Sequence, residues 1–254
     1  LIVKLGRPLQ EGEYRIKLYL LQVNSIEFCN FMMESIVTED TPVREFKEQI
    51  IEEAKVQGID CVLELDKMRL RYKRGVSPGR VYSDDKFITS SIREMYVEPL
   101  KRPEEKYMYM YVGQIQMYII RWRPSQCSVD PIEEVIDTYS PKHFIKKLSE
   151  LSGVPAEYIS YTQSKSFPVE ISCLDIENKL SWYSITSATY SFGLYDDGRV
   201  IYYKDNREKM KELTDKERSE IQEAEEARLK RIGEHINMHT LNLHNVAVEV
   251  DLTN

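Results

Sequence analysis

The sequence is short of what a catalytic or metal-binding site is usually made from. It holds 4 histidines and 4 cysteines in 254 residues, and the cysteines (Cys29, Cys61, Cys127 and Cys173) stand far apart with no CxxC pair. That spacing fits neither a zinc ribbon nor a disulfide framework, so each reads as a small hydrophobe in a reducing compartment. Three histidines, His235, His239 and His244, crowd near the C-terminus without a neighbouring cysteine. A zinc site would need a full tetrahedral ligand set, so these read as part of a polar tail. The remaining histidine, His143, reads as an exposed surface residue. A thiol nucleophile needs an imidazole within hydrogen-bond reach, and no such dyad is expected. Glycine-rich phosphate loops are missing too. The paired carboxylates Asp84–Asp85 and Asp196–Asp197 lie in turn-like contexts, where aspartate suits the backbone without any catalytic role. No catalytic residue, cofactor or metal is therefore expected.

Long apolar runs are also lacking. The longest are of the kind "LYLL" at 18–21 and "MYII" at 117–120, whereas a membrane helix takes about 20 apolar residues in a row. No membrane partner is expected. Net charge is −7, and the one basic stretch, "YKRGVSPGR" at 72–80, lacks interleaved aromatics. It reads as a solvated turn, with no nucleic-acid partner. The opening "LIVKLGRPLQ" has neither an initiating Met nor the layout of a signal peptide, so it reads as a cut end within a longer protein.

Periodic apolar patterning is abundant instead. "YRIKLYLLQV" (14–23) and "EFCNFMMESIV" (27–37), separated by the turn-like Asn24-Ser25, read as a hairpin. A helix follows, capped by Asp40 or Thr41, with Pro42 at its first position. Val43, Phe46, Ile50 and Ala54 form its apolar stripe, and Gly58 ends it. "KMRLRY" (67–72) and "MYVE" (95–98) are further strands. The order strand, strand, helix, strand, strand is that of the β-grasp fold. The proline- and charge-rich "EPLKRPEEK" (98–106) reads as a linker, beyond which the pattern recurs. "GQIQMYIIRW" (113–122) and "SVDPIEEVI" (128–136) pair up. Ser140-Pro141 opens a helix carrying Phe144, Ile145, Leu148 and Leu151, and ended by Gly153. Asp197-Gly198, within "FGLYDDGRVIYY" (192–203), marks a hairpin. Thr214 and Glu217 then make a capping box for a charged, solvated helix with the narrow stripe Ile221, Ala224, Leu229 and Ile232.

The expected architecture is α+β: a lead-in (1–12), a β-grasp domain (13–100), a linker (101–106), a second, divergent β-grasp domain (107–206), a connector helix (207–233) and a strand-like tail (234–254). Two segments are candidate partner-binding surfaces. One is "YMYMY" at 107–111, with Tyr107, Tyr109 and Tyr111, because Tyr and Met are enriched at interfaces. The other is the alternating "NVAVEVDL", with Val246, Val248 and Val250, which suits addition to a sheet edge.

The segments "RPLQEGEYRIKLYLL" (7–21), "RWRPSQCSVDP" (121–131), "SFPVEISCLDIENKLSW" (166–182), "YDDGRVIYY" (195–203) and "ELTDKERSEI" (212–221) together resemble the C-terminal tandem ubiquitin-like region of a ubiquitin-specific protease. The resemblance implies a parent deubiquitinase with a papain-like cysteine nucleophile and cytoplasmic, also nuclear, residence. In such a parent this stretch would be a non-catalytic regulatory region. Its implied partners are the parent's catalytic domain and protein substrates or adaptors. In a related protease of the family a C-terminal tail docks on the catalytic domain and raises its activity. Two departures stand out. No catalytic cysteine or histidine box is present. Aligned on "KMRLRY", the centre of ubiquitin's exposed hydrophobic patch becomes Arg71, which a ubiquitin receptor would have to desolvate without a partner. The alternative reading is an independent β-grasp adaptor that binds a small GTPase through a basic edge strand bearing Arg15 and Lys17.

Overall fold

The computed structural model describes residues 7–24, 29–59, 63–74, 77–103, 114–138, 141–163, 180–184, 197–227 and 230. They form an α+β chain that divides into two units. The first comprises Leu1–Gln22, Cys29–Lys73 and Val81–Glu104; the second comprises Val23–Phe28, Arg74–Arg80 and Glu105–Asn254.

In the first unit, β1 (Glu13–Leu21) and β2 (Cys29–Thr38) pair antiparallel after the turn at 23–24. The register slips once, between Leu18 and Tyr19, where Met32 is the extra residue. This bulge keeps Met33 on the core face and Phe31 on the opposite one. The helix α1 (Val43–Gln57) buries Val43, Phe46, Ile50 and Ala54, the stripe its sequence predicts. Its N-terminus differs from expectation. Thr41–Pro42 is a short strand, β3, paired with β6 (Phe87–Ile88), and Pro42 sits at the cap position with no side-chain cap. The Thr41 hydroxyl instead donates to the Thr38 carbonyl. The first helical N–H, that of Val43, is satisfied by the Lys86 carbonyl at 2.9 Å, so the helix start needs no capping side chain. Gly58, at φ +66°, ends the helix in the left-handed region as expected.

Next come β4 (Met68–Arg74), β5 (Ser77–Tyr82) and β7 (Glu94–Pro99), giving the sheet order β2-β1-β7-β4-β5. β7 runs parallel to β1 and antiparallel to β4. Ile16, Leu18, Met33, Leu70, Met95 and Val97 face α1 and form the core with it. Burying a side chain of this kind is worth about 1.5–3 kcal/mol. Within the stretch 72–80, read as a solvated turn, residues 72–74 belong to β4 and 77–80 to β5, Lys73 is buried, and 75–76 lie outside the described residues.

The second unit repeats the order. β8 (Gln114–Arg123) is flanked by β10 (Glu133–Thr138), antiparallel, and β13 (Arg199–Asp205), parallel. Beyond β13 lie β11 (Ile159–Gln163) and the short β12 (Tyr183–Ser184), for an order β10-β8-β13-β11-β12. The expected strand at 128–136 is interrupted. β9 (Ser128–Val129) and β10 both pair with β8, and the Asp130 N–H still donates to the Arg121 carbonyl of β8 at 2.9 Å, but Pro131 and Ile132 leave the ladder, since Pro131 has no N–H to donate. The Asp130 carboxylate grips Arg123 with bonds of 2.6 and 2.7 Å. The helix α2 (Pro141–Ser152) buries Phe144, Ile145 and Leu148, but Leu151 is half exposed, one position too far round the helix to reach the core. Residues 215–227 form α3. Its capping box is present: the Thr214 N–H donates to Glu217 Oε2 at 2.9 Å, and the Glu217 N–H to Thr214 Oγ1 at 3.3 Å. The side chain it buries is Glu225; Ala224, expected in the stripe, is exposed.

Candidate functional site

A β-strand alternates faces, so the residues of the first sheet that do not face α1 make a second surface. On β4 these are Arg69, Arg71 and Lys73; on β7, Glu94, Tyr96 and Glu98; on β1, Lys17 and Tyr19; on β2, Cys29 and Phe31. A face so rich in charge would ordinarily be wet. Here Arg71 and Tyr96 are 0% exposed, Arg69 2% and Glu98 5%.

Arg71 Nε donates to Glu98 Oε2 at 2.6 Å, and Arg69 Nη1 approaches the same oxygen at 3.4 Å. Two cations thus flank one carboxylate. Burying these ions is tolerable only because each is held by opposite charge and hydrogen bonds. One strand repeat away, Lys73 Nζ donates to Glu94 Oε2 at 2.9 Å, and the Tyr19 hydroxyl donates to Glu94 Oε1 at 3.1 Å. Burial alone would raise the Glu94 carboxyl, but the Lys73 ammonium and the Tyr19 hydroxyl hold it below its ordinary value. The Lys73 ammonium also lies 4.5 Å from the Tyr19 ring centre and 5.9 Å from that of Tyr96, a cation–π arrangement. Tyr19 meets Phe31 and Tyr96 edge-on. The result is an aromatic box filled by the chain's own lysine.

The thiol of Cys29 hydrogen-bonds the Tyr96 hydroxyl, and burial pushes it above its ordinary pKa, away from the reactive thiolate. Cys127, half buried, points its thiol at the Pro124 carbonyl and is also pushed up by burial. His143 is exposed on α2 in the second unit. Among the described residues no group of three or more His, Cys, Asp or Glu could hold a metal. Cys61, Cys173, the three C-terminal histidines and both candidate partner segments (Tyr107, Tyr109 and Tyr111; Val246, Val248 and Val250) lie outside the described residues.

Two expectations need correction here. Arg71 is not an exposed residue waiting to be desolvated: it is already buried, with Glu98 as its partner. The strand carrying Arg15 and Lys17 is not an edge. β1 is internal to the sheet, the edge on its side is β2, and Arg15 lies 3.5 Å from Glu34 of that edge strand. The strand expected to offer a GTPase a basic edge is thus an interior one. Sequence reading also passed over Lys47, 1% exposed on α1, whose ammonium lies 2.7 Å from Asp84. Asp84 is therefore an ion-pair anchor as well as a turn residue. The signal for the buried face was present in period-two form: basic residues at 69, 71 and 73 and acidic ones at 94 and 98.

The geometry defines a two-unit α+β chain whose densest polar chemistry is internal. Residues 15–244 match the family described as ubiquitin carboxyl-terminal hydrolase 47 C-terminal, and the chain belongs to that family. Similar proteins include ubiquitin carboxyl-terminal hydrolase 47 of Homo sapiens, 36% identical over 245 residues that cover 92% of this chain and 17% of the relative. The Xenopus laevis protein of that name is 34% identical over 240 residues, covering 92% and 18%. The Drosophila melanogaster one is 27% identical over 250 residues, covering 92% and 16%. The chain thus spans less than a fifth of the curated relatives it matches.

Proposed function

We propose that this chain is a non-catalytic regulatory region of a cysteine-type deubiquitinase, built from two β-grasp units, a connector helix and a tail. It tunes the parent's catalytic domain or recruits substrates and adaptors in the cytoplasm, and also in the nucleus. Family membership supports the parent, and the shared strand order and sense of the two sheets support the tandem β-grasp reading. The observation that carries the functional reading is the buried Arg69–Glu98–Arg71 group. It occupies the face that ubiquitin presents to receptors, and here that face is closed by the chain itself. A module whose ubiquitin-like face is closed does not substitute for ubiquitin at a receptor. Its contacts with partners use other surfaces. The two described thiols, bonded to Tyr96 and to the Pro124 carbonyl, support a non-catalytic role.

The test is turnover of a ubiquitin fluorogenic substrate by the parent with and without residues 1–254. A change in kcat or KM on removal is expected, together with no turnover by 1–254 alone. Identical kinetics with and without the region, or turnover by the region itself, would overturn the reading.

A further inference from the structure

The second unit contains two stretches that precede the linker in the chain, Val23–Phe28 and Arg74–Arg80. Each brings one specific contact. The side-chain amide of Asn24 donates from Nδ2 to the Ile132 carbonyl at 3.1 Å, while the Ile132 N–H donates back to Asn24 Oδ1 at 2.8 Å. This reciprocal pair reproduces what one residue of a neighbouring strand would offer. It falls just past the Asp130 N–H, which still donates to the Arg121 carbonyl of β8 at 2.9 Å, where Pro131 and Ile132 stand outside the paired registers of β9 and β10. Gly198 supplies the other contact. It stands in the turn before β13 at φ +77°, and a β-carbon there would overlap the Pro78 carbonyl oxygen and lie 2.9 Å from the Pro78 carbonyl carbon. Only glycine admits both that φ and that approach. The same turn is tied to β8, with the Gly198 N–H donating to the Gln116 carbonyl at 2.8 Å and the Gln116 N–H to Asp197 Oδ1 at 2.9 Å.

We propose that the second unit is completed by these two upstream segments. Residues 105–254 are not an autonomous module: the Asn24 amide closes the gap between β9 and β10, and the Pro78 carbonyl seats the turn that leads into β13. This goes beyond the regulatory reading and holds whatever the partner is.

The experiment is amide hydrogen exchange on the full 254-residue chain. Asn24→Ala should speed exchange at Ile132 and in β10 by roughly five- to tenfold, the loss of one or two ordinary hydrogen bonds, and leave α1 unchanged. Two asparagine substitutions separate close approach from backbone strain, because asparagine tolerates positive φ. Gly58 has nothing within 4 Å of a β-carbon, so Gly58→Asn should stay within about twofold of wild type. Gly198→Asn should speed exchange in β8 and β13 more than about tenfold. Wild-type exchange at Ile132 and β10 in Asn24→Ala overturns the proposal, as does equal tolerance of the two asparagines. If Gly198→Asn yields no folded protein, Asn24→Ala decides alone.

Discussion

Replacing Glu98 by glutamine is the most direct probe of the buried face. Glutamine keeps the shape and an acceptor oxygen but removes the one charge between Arg69 and Arg71. At an effective dielectric of about 20, a 2.6 Å contact between unit charges is worth about 6 kcal/mol before desolvation is subtracted. The Arg69 contact at 3.4 Å adds a weaker attraction. Breaking a buried pair from one side costs about 3–5 kcal/mol, since the surviving cation has lost its counter-charge out of reach of water. The retained hydrogen bond places Glu98→Gln near the lower end, about 3 kcal/mol. With a urea m-value of about 1–3 kcal/mol per molar, the midpoint should fall by about 1–3 M. The two tryptophans, Trp122 and Trp182, belong to the second unit, so their fluorescence is the wrong probe. Exchange of the α1 amides under urea reports on the first unit. A Glu98→Gln midpoint within about 0.3 M of wild type would refute the reasoning.

Two further outcomes are expected. Asp84→Asn removes the counter-charge of buried Lys47; because Asp84 is partly exposed, the loss is discounted to about 2 kcal/mol in thermal or urea unfolding of the first unit, and no measurable loss would contradict the ion-pair role. Thr214→Ala removes the N-cap of α3 and should cost that helix about 1 kcal/mol by amide exchange. The cap also sets a pH dependence. The Thr214 N–H, the Lys211 ammonium and the Thr214 hydroxyl hold the Glu217 carboxyl down at about 2, against 4.5 ordinarily. Its contribution is therefore complete above about pH 4.5 and is lost as pH falls toward 2. Exchange of the first α3 amides should accelerate over that window, and Glu217→Gln should flatten the profile.

Much of the fold was legible because its signals are local. The stripe of α1, the left-handed Gly58, the Thr214–Glu217 box and the turn at Asn24 each need only neighbours within a few residues. What escaped depends on distant pairing. Whether β1 is an edge is settled by β7, more than 70 residues further on, which takes its free side and leaves β2 outermost. The absence of a capping side chain on α1 follows from the Lys86 carbonyl, placed there by the β3–β6 pair. Arg71 was correctly singled out, but its environment was misjudged, since Glu98 lies 27 residues away and reaches it only once β4 and β7 are in register.

The second sheet carries the same lesson in different chemistry. Its surface opposite α2 bears Gln116, Tyr118 and Trp122 of β8, Ser160 and Thr162 of β11, and Val200 and Tyr202 of β13, all buried. A sheet with one helix on one face and water on the other reads as alternating apolar and polar residues. β8, with its run "MYIIRW", does not alternate, and β4 alternates between apolar residues and charges that turn out to be buried. The face opposite the helix thus holds buried side chains in both sheets, chiefly ion-paired ones in the first and uncharged ones in the second. The difference has a physical consequence. Uncharged faces tolerate substitutions of similar shape, because no ion is left without its counter-charge. The ionic face tolerates only changes that remove charge in matched pairs. Single substitutions at Arg71 or Glu98 should therefore be far more damaging than single conservative ones at Tyr118 or Val200, although all four side chains are buried.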